Sequence, residues 1–336
     1  GSGAQKFAAC TPPTLRRRAH PRSEKRGARP AARLLPLDRR GQDGRFPTHP
    51  DCGGGELQGA GGGFLSSTDP KGGGLSCGLN DLLVGPGAKV DYVCFQRWGN
   101  AVTSFQLNST RVEKDGEARS LFVNLGAAYA RQESRSTLVG GGARSEMLGL
   151  SVGNDRQEFD QRTLQCHDVP NTWSDLLYKN ALDDRSKSIF KGLIRVAPGA
   201  AKTDAYQNNR NLLLNPEAEA DSMPGLEILN DDVRCTHGAT TGQIDQDQLF
   251  YLMARGIDPR TGAQLLAHGF FEEVIDRLPD KKIGEAVRAA VAEKFASMRV
   301  PVKAKAPVRK QAVRVVKAAK AKKPAVRGLK KAINVR

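Results

Sequence analysis

Between residues 79 and 235 the apolar positions come in short runs, at 79–84, 89–96, 101–107, 120–124, 146–152, 188–196, 211–214 and 226–229, each closed by glycine or a polar turn. None of these runs reaches helical length or repeats at three or four residues, so the pattern predicts strands. Many short strands with regular breaks leave three architectures open: a sandwich, a barrel or a parallel β-helix. The breaks at Gly85-Pro86-Gly87-Ala88, Leu125-Gly126-Ala127-Ala128 and Gly141-Gly142-Ala143-Arg144 suggest coils of roughly twenty residues.

Beyond Gly242 the apolar period changes from two to about 3.6. Asp245 reads as an N-cap with Gln248 three residues on, Leu249, Phe250 and Met253 form a face, and Gly256 suits a left-handed C-cap. Asp258-Pro259 caps and opens a second helix with the stripe Ala263, Leu266, Phe270 and Val274, closed by Leu278-Pro279. A third starts at Asp280, with Ile283, Val287, Ala290, Val291, Lys294 and Met298 along one side. The three form one small helical cap after the strands.

Composition divides the chain further. The 336 residues, 39% of them hydrophobic, suffice for one large or two ordinary domains with a core of moderate size. The net charge of +16 sits at the ends: residues 1–75 carry 13 Lys and Arg against 6 Asp and Glu, residues 299–336 carry 14 against none, and the middle is net −5. Residues 1–75, rich in Arg, Pro and Gly, sustain no apolar period, so disorder is expected there. That Arg-rich, acid-poor opening has the composition of an organelle transit peptide, while a start at Gly-Ser-Gly without Met fits a fragment equally well. Residues 299–336 repeat Lys and Ala, interrupted by Pro301, Pro307 and Pro324. Such a stretch reads as a disordered basic tail capable of nonspecific polyanion contact; it lacks the aromatics a dedicated nucleic-acid surface uses. No run approaches the roughly 18 apolar residues that span a bilayer, so no membrane partner is expected.

Six cysteines without Cys-x-x-Cys spacing argue against a zinc ribbon and a compact disulfide framework, and favour a reducing compartment. The chemistry concentrates at Asp232-Val233-Arg234-Cys235-Thr236-His237-Gly238-Ala239-Thr240, where a thiol and an imidazole two residues apart share one face of an extended chain. A buried cysteine beside a satisfied histidine is the plainer reading of that spacing. Cys166-His167-Asp168, the acids Glu217, Glu219 and Asp221, and Asp231-Asp232 could suggest a β-helix hydrolase. Adjacent Cys166 and His167 face opposite sides of a strand, however, and the acids fall in turns and solvated edges. No Gly-x-Ser-x-Gly elbow or phosphate-binding Gly-Lys-Ser/Thr motif is present.

From about residue 75 to 278 the chain resembles the SufB/SufD family of iron–sulfur cluster assembly proteins. The resemblance rests on Leu177-Tyr178-Lys179-Asn180-Ala181-Leu182, Tyr206-Gln207-Asn208-Asn209-Arg210-Asn211-Leu212-Leu213-Leu214, Asp221-Ser222-Met223-Pro224-Gly225-Leu226-Glu227-Ile228, and the Cys235 stretch with Phe250-Tyr251-Leu252-Met253-Ala254-Arg255-Gly256-Ile257. Cys-x-His-Gly-Ala-Thr is similar to SufD, where SufB usually reads Glu-His-Glu-Ala. The resemblance implies a mainly β protein: a right-handed parallel β-helix over 76–243, a C-terminal helical domain over 244–298, and disordered basic termini at 1–75 and 299–336. It implies a non-catalytic scaffold of the SUF system that pairs with SufB, or with a second copy of itself, and recruits the SufC ATPase through residues 248–275, with Phe250, Tyr251, Arg255 and Phe270 as contacts. It further implies that His237, and after it Cys235, serves a transient iron–sulfur cluster, with Asp231 or Asp232 as acceptor for the second imidazole nitrogen. SufB's sulfur-accepting cysteine lies on a line matched here by Asn209-Arg210-Asn211-Leu212-Leu213, which holds no thiol. A cytoplasmic location follows from the resemblance, with the plastid stroma as alternative. The contrary functional class is a β-helix carbohydrate-active or Cys/His hydrolytic enzyme.

Overall fold

The computed structural model describes residues 32–35, 58–67 and 72–298. Among the described residues fourteen strands alternate between two stacked seven-stranded sheets. The odd sheet has the order β1-β3-β5-β7-β9-β11-β13 and the even sheet β14-β12-β10-β8-β6-β4-β2. Strands run β1 (Ala32–Leu35), β2 (Gln58–Ser66), β3 (Gly74–Val84), β4 (Lys89–Arg97), β5 (Val102–Val112), β6 (Glu117–Asn124) and β7 (Tyr129–Leu138). They continue as β8 (Arg144–Gly153), β9 (Glu158–His167), β10 (Trp173–Leu182), β11 (Lys187–Val196), β12 (Thr203–Leu213), β13 (Glu219–Ile228) and β14 (Val233–Gln243). Every pairing is parallel except that of β1 with β3. Each coil contributes one strand to each sheet, which is the geometry of a parallel β-helix flattened into two layers.

One coil advances 26 residues where Thr103 pairs with Tyr129 and 32 where Lys187 pairs with Glu219, not roughly twenty. The coils are longer because each holds two strands of about ten residues and two turns, and the visible glycine breaks mark only some of those turns. Asp115, Asp155, Asn171 and Asp184 take left-handed backbone conformations at the turns, with φ of 51 to 57°. Asp and Asn tolerate that region because their short polar side chains bond locally.

The space between the sheets is unusually polar. Gln106, Gln132 and Gln161 stand in register on β5, β7 and β9, all buried, as are Asn108, Ser134 and Thr163 beside them. Most of them bond one another or the even sheet: Asn108 Nδ2 donates to Ser134 Oγ at 3.2 Å, Asn124 Nδ2 to Gln132 Oε1 at 3.1 Å, and Gln161 Nε2 to Ser151 Oγ at 2.9 Å, while the Thr163 hydroxyl and Gln161 Oε1 have no partner among the described residues. Pairing of this kind makes buried amides tolerable.

The largest apolar core lies outside the solenoid. Phe95, Leu121, Val123, Leu148, Leu150, Val152, Leu177 and Ala181 form the outer face of the even sheet and pack against Ala267, Phe271, Val274, Val287, Val291 and Phe295. Those residues belong to α2 (Pro259–Ile275) and α3 (Lys281–Ser297), which follow α1 (Gln246–Ala254). The helices therefore fold back on the even sheet and share a core with it, rather than standing past the last strand. All three caps lie where the sequence places them: the Asp245, Asp258 and Asp280 carboxylates accept backbone N–H bonds of the first turns. Gly256, just past α1, has φ of 85°.

Charge reinforces this seam. Lys179, almost buried on β10, donates to the Phe270 carbonyl at 2.7 Å and to Glu273 at 2.6 Å, while Arg277 reaches Asp175 at 2.7 Å. β1 and β2 fall within 1–75, where no apolar period is visible; Gly-rich β2 is aligned by its ladder with β4. The basic tail, 299–336, and the remaining part of the Arg-rich opening lie outside the described residues.

Candidate functional site: the last coil

β13 and β14 end their sheets, and among the described residues each has a neighbour on one side only. Such an edge leaves backbone donors and acceptors free to pair with another chain. Met223, Leu226, Ile228 and Leu229 are exposed large apolar residues on and just after β13.

Cys235 stands opposite Ala205 and His237 opposite Gln207 on β12. The common register direction puts both side chains on the face of β14 that continues the solenoid interior. Their surroundings differ. Cys235 is half-buried against Ile194, Val196, Ala200 and Ala205, and burial, with a lesser push from Asp204, raises its thiol pKa. His237 is exposed, and its ring makes no hydrogen bond among the described residues. Asp231 and Asp232 are exposed in the preceding turn, where the Asp232 N–H donates to Asn230 Oδ1 at 3.0 Å; neither holds the His237 ring. No group of three His, Cys, Asp or Glu side chains that could hold a metal ion occurs among the described residues. One thiolate and one imidazole leave an iron site open.

A polar network next to this pair was not singled out in the sequence. Asn211 Nδ2 lies 2.9 Å from Asn209 Oδ1, 3.1 Å from Ser222 Oγ and 3.3 Å from Thr241 Oγ1, so β12, β13 and β14 are tied together. Asn209 and Asn211 occupy the line that lacks a thiol. Their spacing of two on one strand was the available signal.

The four anticipated contact residues divide. Phe250 and Tyr251 are 65% and 56% exposed, and the Arg255 guanidinium lies 4.7 Å over the Tyr251 ring, so α1 presents one aromatic patch. Phe270 lies elsewhere: it packs at the margin of the main core, with Lys179 Nζ 4.7 Å from its ring centre.

The groups that suggested a hydrolase do not meet. His167 is buried, with ring nitrogens 2.8 Å from Thr172 Oγ1 and 2.8 Å from Ser174 Oγ, and burial lowers its pKa to about 4. Cys166 faces the other way, where burial raises its pKa against the opposing pull of Arg135 and Arg195. Glu217 pairs with Arg185, and Glu219 and Asp221 with Lys187.

A two-sheet parallel solenoid with helices folded on one face and an open last coil carrying a thiol and an imidazole is the class of protein these features define. The chain belongs to the SufBD family, since residues 63–270 match "SUF system FeS cluster assembly, SufBD core domain". It is 35% identical to the iron-sulfur cluster assembly protein SufD of Escherichia coli over 191 residues, covering 57% of this chain and 45% of that one. An iron-sulfur cluster assembly SufBD family protein of Mycobacterium leprae is 32% identical over 231 residues, 66% of this chain and 59% of its own length. The chloroplastic protein ABCI7 of Arabidopsis thaliana is 31% identical over 209 residues, 62% of this chain and 44% of its own. The chain thus spans about half the length of the curated relatives it matches. Among the described residues no helix is long and apolar enough to cross a membrane.

Proposed function

We propose that the chain is a SufD-like scaffold subunit of the SUF iron–sulfur assembly system, catalysing no reaction itself. In this reading it pairs with a SufB-like protein through the last coil and recruits a SufC-like ATPase through the helices, with nucleotide hydrolysis belonging to that ATPase. The observation that carries the reading is the last coil, whose strands each have one open edge among the described residues and bear His237, its ring exposed and without a hydrogen bond, beside the half-buried Cys235. A site with so few ligands needs the rest from a second chain, and thiolate with neutral imidazole suits a cluster that must later be released. The cluster is cargo. Exposed Met223 and Leu226 supply apolar area for the pairing, and Phe250, Tyr251 and Arg255 supply the aromatic and guanidinium groups that dominate protein interfaces. Unpaired cysteines among the described residues suit a reducing compartment: the cytoplasm, or the plastid stroma as for the chloroplastic relative.

The test is reconstitution of the three-protein complex with His237→Ala and, separately, Cys235→Ala, following iron, sulfide and subunit stoichiometry. His237→Ala should assemble normally yet hold well under half the wild-type iron. Because His237 is exposed, its removal should change stability by less than about 0.5 kcal/mol, which separates cluster loss from unfolding. A His237→Ala complex with its full iron and sulfide rejects the assignment.

A further inference from the structure

A cleft of about 1250 Å3 lies away from the last coil, between the stacked turns that follow the even strands, the end of β2 and the last turns of α3. Lys294 projects into it. The residue falls within the apolar stripe of α3, so helix geometry turns it toward the protein body. Its Nζ donates to Asn154 Oδ1 at 2.5 Å and to Gln157 Oε1 at 3.0 Å. Both acceptors are fixed from behind: Asn154 Nδ2 donates to Asp155 Oδ2 at 2.9 Å, and Gln157 Nε2 donates to the Ala127 carbonyl at 2.8 Å and to Asn100 Oδ1 at 3.1 Å. The ammonium is therefore oriented by neutral amide oxygens and makes no direct ion pair among the described residues, with the Asp155 carboxylate acting on it from beyond hydrogen-bond reach.

Of the carboxylates lining the cleft, two are ion-paired with arginines and two accept from neutral amides. Glu293 pairs with Arg97 at 2.6 Å and Glu217 with Arg185 at 2.5 Å. Asp155 accepts from Asn154 and from Asn100 at 3.2 Å, and Asp184 Oδ2 accepts the Asp155 N–H at 2.9 Å. Two cations of the cleft, Lys294 and the exposed Arg156, make no ion pair among the described residues. Burial lowers the Lys294 pKa to about 8, opposed by Asp155, and a bound anion would relieve that strain on the charge. The volume exceeds the ~300–1,000 Å3 usual for small-molecule sites.

We propose that this cleft binds a small molecule through a carboxylate or phosphate group seated on Lys294, with Arg156 at its rim. A purely structural lysine, pinning α3 to the turns, would need no second cation and no open space beside it.

The test is an NMR titration of the full chain with sodium phosphate and, separately, sodium acetate at constant ionic strength. Saturable shifts are expected at the Asn154 and Gln157 amides and the Trp98 indole, and the anion that saturates them identifies the group recognised. Arg156→Ala should weaken that binding severalfold and Lys294→Met at least tenfold, while Lys294→Arg retains part of it. If Lys294→Met fails to fold, the exposed Arg156→Ala still decides the matter. Shifts that do not saturate, shifts confined to surface groups such as Lys281 and Lys282, or an affinity unchanged in Arg156→Ala overturn the proposal.

Discussion

His167 and His237 share a residue type and lie under opposite physics. His167 is sealed between Thr172 and Ser174, so its neutral form alone is comfortable and its pKa falls to about 4 from an ordinary 6.5. The unfolded chain takes up this proton first, so the stability owed to neutral His167 is complete above about pH 6.5 and is lost as pH falls toward 4, by at most ~3 kcal/mol. Asp175 and Asp183, whose pKa values burial raises, act in the opposite direction. The readout is therefore a difference: the urea midpoint of the wild type should drop more between pH 7 and pH 5 than that of His167→Gln. Equal slopes would show that His167 is not held neutral. Apart from the family resemblance, the sequence separated these two histidines only by the parity of their strand positions, which put Cys166 and His167 on opposite faces and Cys235 and His237 on one.

Helices were the elements most legible in the sequence, because their signals are local: an Asp cap, a Pro at the first turn and a Gly at the end need no knowledge of the fold. The odd strands were the least legible. β7 and β9 turn Gln132, Ser134, Gln161, Thr163 and Gln165 inward, so hydrophobic alternation vanishes although burial alternates. β10 was visible only through a family motif, since its two buried faces leave no alternation to read. On α2 the expected stripe holds at Ala263 and Val274, which are buried, but shifts by one residue in the middle, where Ala267 and Phe271 rather than Leu266 and Phe270 are fully buried, because the helix meets the sheet on one side and α1 on the other. This shift has a measurable consequence. Phe271→Ala should cost about 3–5 kcal/mol by opening a core cavity, whereas the double change Phe250→Ala and Tyr251→Ala should leave the melting temperature nearly unchanged and weaken the proposed ATPase capture by about 2 kcal/mol or more. Equal destabilisation by both would place the α1 patch in the core instead. The seam should also feel Glu273→Ala, which strands Lys179; with Glu273 40% exposed, the cost is discounted to about 1–2 kcal/mol, checked by thermal melting.

As a molecule the protein is a stack with one face covered and its last coil open. The helices bury the outer even sheet, polar ladders share the interior with smaller apolar clusters, and the last coil leaves two strand edges, exposed apolar side chains and one exposed imidazole together. Its family membership follows from the match over residues 63–270, and the proposed role as a half-site rests on the chemistry of that coil. Native mass spectrometry of the chain mixed with a SufB-like protein and a SufC-like ATPase tests this most directly. The account predicts a heteromeric complex with one copy of this chain paired to one SufB-like subunit, losing bound iron but not subunits in His237→Ala. A chain that stays alone, or associates only with itself, in the presence of both partners would contradict it.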